Sequence, residues 1–130
     1  MAISIPDDTK VRVAYDYPPG IPGVASVAIL TPGPLVIVDA PTRSGQASFA
    51  PAAGANNGAY IGFGLVPTPN VGDGIGALRA TIIAGFAGVE PGELVFLDAT
   101  DGSLTHDAGV GGANGEAIGK GYTAEMIYFF

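Results

Sequence analysis

Ser103, Thr105, His106 and Asp107 place hydroxyls, an imidazole and a carboxylate within one short stretch of chain. A nucleophilic triad needs those three groups, with the histidine as base and the carboxylate orienting it. Neighbours on a strand point to opposite faces, and the chain has no Gly-x-Ser-x-Gly elbow. His106, the only histidine, therefore reads as a polar residue at a turn following a strand. Asp98-Ala99-Thr100-Asp101-Gly102 carries acids three apart. A calcium loop needs acids at alternating positions and a distal glutamate, so this segment reads as a hairpin turn in which Asp-Gly supplies left-handed backbone. Gly72-Asp73-Gly74-Ile75-Gly76 and Gly62-Phe63-Gly64 look like pieces of nucleotide-binding loops. No Lys-Ser/Thr follows them and no strand-turn-helix context surrounds them, so phosphate binding is not expected.

The absence of cysteine removes disulfides, thiolate metal sites and a cysteine nucleophile. A single histidine removes multi-histidine metal sites. No metal, no cofactor and no enzymatic activity are expected. A carboxylate pair acting on a glycosidic bond stays open as a third reading, although no tryptophan is present to line a sugar cleft. With 5 basic against 12 acidic residues the net charge is −7. Such a surface repels phosphate backbones and anionic lipid, which argues against nucleic acid and membrane partners. The seven acids from Glu90 onward face only Lys120. They read as a solvated acidic surface or as a face complementary to a basic partner. The N-terminus has neither the basic region nor the apolar core of a secretion signal. The charge-free run from Ile21 to Val38 is broken by Pro22, Gly23, Pro32, Gly33 and Pro34, which a spanning helix tolerates poorly. A soluble protein without an export signal is expected.

The elements that position these residues follow from composition. The 130 residues include 21 glycines and 11 prolines, yet 48% of the chain is hydrophobic and only 13% is charged. Glycine costs a helix interior about 1 kcal/mol and proline about 3 kcal/mol, while so much apolar surface can form a core. The expected fold is all-β: one compact Gly/Pro-rich β-barrel or β-sandwich over residues 1–130, with an extended, loose N-terminal arm over 1–9. Strands are expected at Lys10 to Tyr17, where Val11, Val13, Tyr15 and Tyr17 alternate with polar or small residues, and at Val24 to Leu30. Leu35-Val36-Ile37-Val38 reads as a buried run, Pro51 to Gly58 as a long loop, and Ala59 to Val66 as another strand. Ala77 to Gly85 reads as a strand with Leu78, Ala80, Ile82 and Ala84 on one face. Thr123 to Phe130 closes the chain as a strand whose last residues are apolar on both faces. Tyr128, Phe129 and Phe130 are accordingly expected in the subunit core or at a subunit interface.

The chain also repeats itself. Pro32-Gly33-Pro34-Leu35-Val36-Ile37-Val38-Asp39-Ala40 reappears as Pro91-Gly92-Glu93-Leu94-Val95-Phe96-Leu97-Asp98-Ala99. Asn57-Gly58-Ala59-Tyr60-Ile61-Gly62-Phe63-Gly64 reappears, in the same order along the chain, as Asn114-Gly115-Glu116-Ala117-Ile118-Gly119-Lys120-Gly121. Two similar strand-turn-strand units, 24–66 and 80–130, are expected to build the domain.

In the order of these motifs the chain resembles the small head-decoration, or cement, proteins of tailed bacteriophages. The residues that carry the resemblance are Glu90 to His106, then Glu116-Ala117-Ile118-Gly119-Lys120-Gly121 and a closing strand, with Pro32 to Val66 as an earlier copy. It covers roughly residues 24–130. The resemblance implies a β domain on the outer surface of the virion, commonly a trimer at three-fold positions. Such a domain clamps neighbouring major capsid protein subunits after the shell expands. It also implies an N-terminal arm that orders on contact with the capsid. On that basis the arm, through Ile3 and Ile5, and the loops are expected to touch the capsid. The chain departs from the family in carrying the motif twice, so the expected trimer is open to a pseudo-symmetric alternative. The runner-up is a carbohydrate- or cell-surface-binding β module, which requires an exposed platform from Tyr15, Tyr17, Tyr60, Tyr122 and Tyr128.

Overall fold

The computed structural model describes residues 2–38, 45–52 and 60–130. Among these the regular structure is strand, with short 3-10 turns and no α-helix. Twelve strands are present: β1 (Ala2–Ile3), β2 (Arg12–Val13), β3 (Ile21–Ala25), β4 (Gly33–Val38), β5 (Ser48–Pro51), β6 (Tyr60–Gly64), β7 (Gly74–Ala77), β8 (Thr81–Ala84), β9 (Leu94–Leu97), β10 (Leu104–Thr105), β11 (Gly119–Thr123) and β12 (Met126–Phe129). They form a seven-stranded sheet, β1-β10-β9-β11-β12-β8-β2, and a five-stranded sheet, β6-β4-β5-β3-β7. The expected all-β architecture is the observed one.

The five-stranded sheet curls until its edges meet. Phe63 of β6 and Leu78, just beyond β7, donate to each other's carbonyls at 2.9 Å. The interior of this small barrel is Ala25, Ile29, Leu35, Phe49, Ile75 and Ala77. Phe49 fills its centre, and a Cβ on Gly23 would collide with the Phe49 ring. The outer face of the barrel contributes Val36, Ala52 and Phe63 to a second core shared with the seven-stranded sheet. The two sheets meet at an aromatic cluster. Phe63 lies 4.9 Å from Phe129 and 5.9 Å from Phe86 between ring centroids.

The two sequence units share a strand arrangement. In each, the buried strand (β4, β9) is flanked by the next two strands of the chain, antiparallel, with β5 and β6 around β4 and β10 and β11 around β9. The units differ at their first strands. β3 pairs with β5 in parallel, whereas β8 lies between β12 and β2. Asp39, Ala40 and Asn57 to Ala59, which belong to the repeat, lie outside the described residues, as do Met1 and most of the Pro51 to Gly58 loop.

Several expected elements are corrected. The Lys10 to Tyr17 strand shrinks to β2, which pairs with Ala84 and Ile83 of β8 and is followed by one more bond, from the Ala14 amide to the Ile82 carbonyl; Tyr15 and Tyr17 are exposed. The second strand begins earlier, at Ile21, through Pro22. Ile29 instead forms an isolated pair with Thr68. In the run Leu35 to Val38, Ile37 is exposed. The Ala77 to Gly85 strand is broken by Ala80, whose φ is 53°. This resets the alternation, so Thr81 and Ile83 are buried and Ile82 is only half-buried. The arm is not loose. Ala2 and Ile3 pair with Thr105 and Leu104, Ser4 exchanges hydrogen bonds with Ala87 at 2.9 and 3.0 Å, and Ile3 is buried. A strand edge on β10 and a place in the shared core hold the segment down.

Gly23→Ala should destabilise the protein by about 1–3 kcal/mol in urea unfolding through overpacking against Phe49. Adding Phe49→Leu should recover part of that loss, because the two sites are in contact. Deleting residues 1–8 should cost at least about 2 kcal/mol and several degrees of Tm, because it exposes the site that Ile3 fills.

Candidate functional site

β11 and β12 form a hairpin that carries part of an exposed apolar face. Ile127 and Phe129 point into the core and are fully buried. Strand alternation then turns Tyr128 and Phe130 outward. The register sets Lys120 opposite both Leu94 and Tyr128, and Tyr128 opposite Ile82. The outer face of the seven-stranded sheet therefore carries a row Leu94, Lys120, Tyr128, Ile82. Leu94 is 43% exposed, Tyr128 37% and Phe130 39%. The Tyr128 and Phe130 rings pack on each other at 6.0 Å. Tyr122 extends the face and meets Tyr15 edge-on at 6.2 Å. Of the three residues expected in a core or interface, Phe129 is thus a core residue, while Tyr128 and Phe130 lie on an open face.

Ile3 and Ile5, expected on a capsid-touching arm, line a cleft of about 300 Å3 between the sheets, with Ile29, Pro32, Pro34 and Leu104. Ile3 belongs to the core and Ile5 packs against it. The 3-10 turn Asp8–Lys10 that follows is capped by Asp7, whose carboxylate accepts from the Thr9 hydroxyl and amide. Those bonds hold Asp7 below the ordinary carboxylate range.

His106 has no proton-transfer geometry. Its Nε2 accepts from the Glu90 amide at 2.9 Å, so Nδ1 carries the hydrogen and donates to the Leu94 carbonyl at 2.8 Å. Both nitrogens tie the β10 end to β9 and the loop before it. The Asp98 to Gly102 segment is a turn in which the carboxylates bind backbone. Asp98 accepts from the Thr100 amide at 2.8 Å and Asp101 from the Ser103 amide at 2.9 Å, and Gly102 is left-handed. The Ser103 amide, then its hydroxyl, lowers the Asp101 pKa below 3.8. Among the described residues no three His, Cys, Asp or Glu side chains are placed to hold a metal ion. The glycine cluster Gly72 to Gly76 is a turn followed by β7.

One polar cleft had no sequence signal. It holds about 180 Å3 and is lined by Tyr60, Arg79, Asn114, Glu116 and Phe130. Arg79 donates through Nε to the Phe130 carbonyl at 3.0 Å, and its guanidinium lies over the Tyr60 ring, 5.7 Å from the centroid. The Tyr60 hydroxyl is buried without a partner. Burial pushes its pKa up against the opposing charge of Arg79, which keeps it protonated. Ala113 and Asn114 on one wall and Ala80 beside Arg79 are, among the described residues, the non-glycine ones with left-handed backbone. For alanine that conformation costs roughly 1–2 kcal/mol. Isolated arginine and alanine residues carry no spacing pattern, which is why sequence alone did not mark them.

No family model, curated protein or solved structure matches the chain.

Replacing His106 with alanine should cost about 1–3 kcal/mol in unfolding experiments, since the Glu90 amide and Leu94 carbonyl lose their partner. Asp101 should titrate in NMR with a midpoint below 3.8. A depressed carboxyl stabilises the fold above its unfolded pKa, and that contribution is lost as pH falls through the lowered value. Ser103→Ala should move the midpoint back up.

Proposed function

We propose that this protein is a structural binding protein of the phage head-decoration type, docking on the outer surface of an expanded capsid and clamping neighbouring capsid subunits. The observation that carries the reading is the outer face of the seven-stranded sheet, where Leu94, Tyr128, Phe130, Tyr122 and Tyr15 stand partly or largely exposed on one rigid surface. Exposed apolar clusters of this kind serve protein contacts, and aromatic anchors dominate the energy of such contacts. A clamp needs area and rigidity rather than reactive groups. Many copies on one shell act together, so modest affinity per copy suffices. A net charge of −7 fits an outward-facing position better than a DNA-filled interior. Association as a trimer at three-fold positions is part of the proposal. Since Ile3 is a core residue, contact through the N-terminal segment falls to Ile5 and its neighbours, and the sheet face takes the larger share.

Quantitative mass spectrometry of purified virions from the source should give a copy number near that of the major capsid protein, or a simple fraction of it. A Tyr128→Ser/Phe130→Ser protein should stay folded, because both side chains are partly exposed, and should lose capsid binding at least tenfold in co-sedimentation. Absence from virions would overturn the proposal.

Exposure of Tyr15, Tyr17, Tyr122 and Tyr128 favours a second reading, a carbohydrate-binding β module. Tyr60 is not available for that platform, because its hydroxyl is buried. This reading expects saccharide binding on a glycan array, abolished by Tyr15→Ala/Tyr122→Ala, and a blank array would remove it.

A further inference from the structure

Among the described residues a single pair, Phe63 with Leu78, closes the five-stranded barrel. An antiparallel ladder continued from that pair would set Leu65 opposite Gly76 and Pro67 opposite Gly74. Pro67 has no amide hydrogen to offer such a ladder. The next residue, Thr68, turns away and exchanges hydrogen bonds with Ile29 at 2.6 and 2.9 Å. Beyond the bridge the seam therefore opens into a cavity of about 450 Å3 between Leu65–Pro69 and β7, with Tyr17 at one side.

Alternation decides where the free groups of β7 point. The Asp73 carbonyl accepts from Ala25, on the β3 side, and Ile75 and Ala77 share that side. Leu78 faces β6, so Gly76 and Gly74 face β6 as well. Pro22 agrees with this phase: it sits opposite Gly76 in a pair that exchanges no hydrogen bond, where its missing amide hydrogen costs nothing. The amides and carbonyls of Gly74 and Gly76 thus look into the cavity and meet no hydrogen-bonding partner among the described residues. Space is open there too. A Cβ on Gly74 would touch nothing within 4 Å, and one on Gly76 only the Gly20 Cα at 3.5 Å.

We propose that this seam binds an extended segment of another polypeptide, which adds to β7 as a strand and sets a basic side chain against Asp73. Unpaired strand groups call for a backbone partner, and glycines in a strand let another backbone approach closely. The opposite wall offers Val66, 64% exposed, and the near side Tyr17, 62% exposed, as apolar surface for alternate side chains. Among the described residues Asp73 is the only charged one lining the cavity, in a chain of net charge −7, so complementarity selects a basic segment. The proposal stands on the barrel's own edge and does not depend on a role at a capsid.

The test uses the full chain, 15N-labelled, with a blocked hexapeptide of alternating lysine and valine at millimolar concentration. The expected result is a shift of the Gly74 and Gly76 amide signals and at least tenfold slower hydrogen exchange at both. A glutamate-for-lysine peptide should bind at least tenfold more weakly, and Asp73→Lys should reverse that order. Gly74→Pro removes an outward donor at a position opposite Val24 that needs no β3 bond, and should abolish the response in a protein whose remaining spectrum is unchanged. If Gly74→Pro fails to fold, a lysine-valine peptide N-methylated at every residue, with no amide hydrogen to donate from either edge, takes its place and should bind no better than buffer. The proposal is overturned if the lysine peptide leaves both amides unmoved, or if the N-methylated peptide binds equally. Protection of both amides that rises with protein concentration without peptide would also overturn it, in favour of a second copy of the chain.

Discussion

Phe63 holds the structure together in two ways. Its backbone makes the pair that closes the five-stranded barrel, and its ring is the barrel's main contact with Phe129 and Phe86 of the other half. Strict alternation would put Ile61 and Phe63 on one face, yet Ile61 faces the barrel interior while Tyr60 and Phe63 face the shared core. A bulge between β4 and β6, at which Val36 pairs with Tyr60 after Leu35 pairs with Gly62, sets that phase. Gly62 sits at the bulge in a conformation that leaves no room for a Cβ, with the Ala77 Cβ and the Leu78 carbonyl 2.9 Å from where it would lie. The closing pair, the glycine beside it and the aromatic contact form one constraint.

Once the barrel is closed at that point, the positions of several open surfaces follow. The interior is filled by Phe49, Leu35 and their neighbours. Two of the open surfaces follow directly. One is the seam beyond the closing pair, where Pro67 ends the ladder. The other is the outer face of the seven-stranded sheet, where the C-terminal strand buries Ile127 and Phe129 and leaves Tyr128 and Phe130 outside. Polar side chains with the potential for chemistry are spent on structure: His106 joins two backbone segments, and Asp98 and Asp101 hold a turn.

The repeated unit shows how similar sequences take different surroundings. β4 and β9 both send a valine, Val36 and Val95, into the shared core. Leu35 continues into the barrel interior, whereas its counterpart Leu94 ends on the exposed face. The cause is the neighbour on the far side. β4 belongs to a sheet that curls around its own core, and β9 to a sheet with one face open. The same local pattern yields an interior residue in one unit and a surface anchor in the other.

Much was legible in the sequence for definite physical reasons. Glycine and proline density excludes helices, so an all-β domain follows from backbone entropy and missing amide hydrogens. The alternation at the C-terminus, the Asp-Gly turn at residues 101–102 and the paired motifs at 32–40 and 91–99 depend on neighbours along the chain and could be read there. The buried place of Ile3, the break at Ala80, the early start of β3 at Ile21 and the Arg79–Tyr60 cleft could not. Each depends on residues tens of positions away: Ile3 is held by Leu104, Ala80 bends between two different sheets, and Arg79 is fixed by the Phe130 carbonyl. The open seam lies between these cases. Pro67, Gly74 and Gly76 were visible as residues, but only the tertiary pairing of Phe63 with Leu78 brings the proline opposite the glycine and leaves the edge of β7 without a partner. Local propensity set which strands form. Closure of the sheet decided which of their edges and faces remain free to bind.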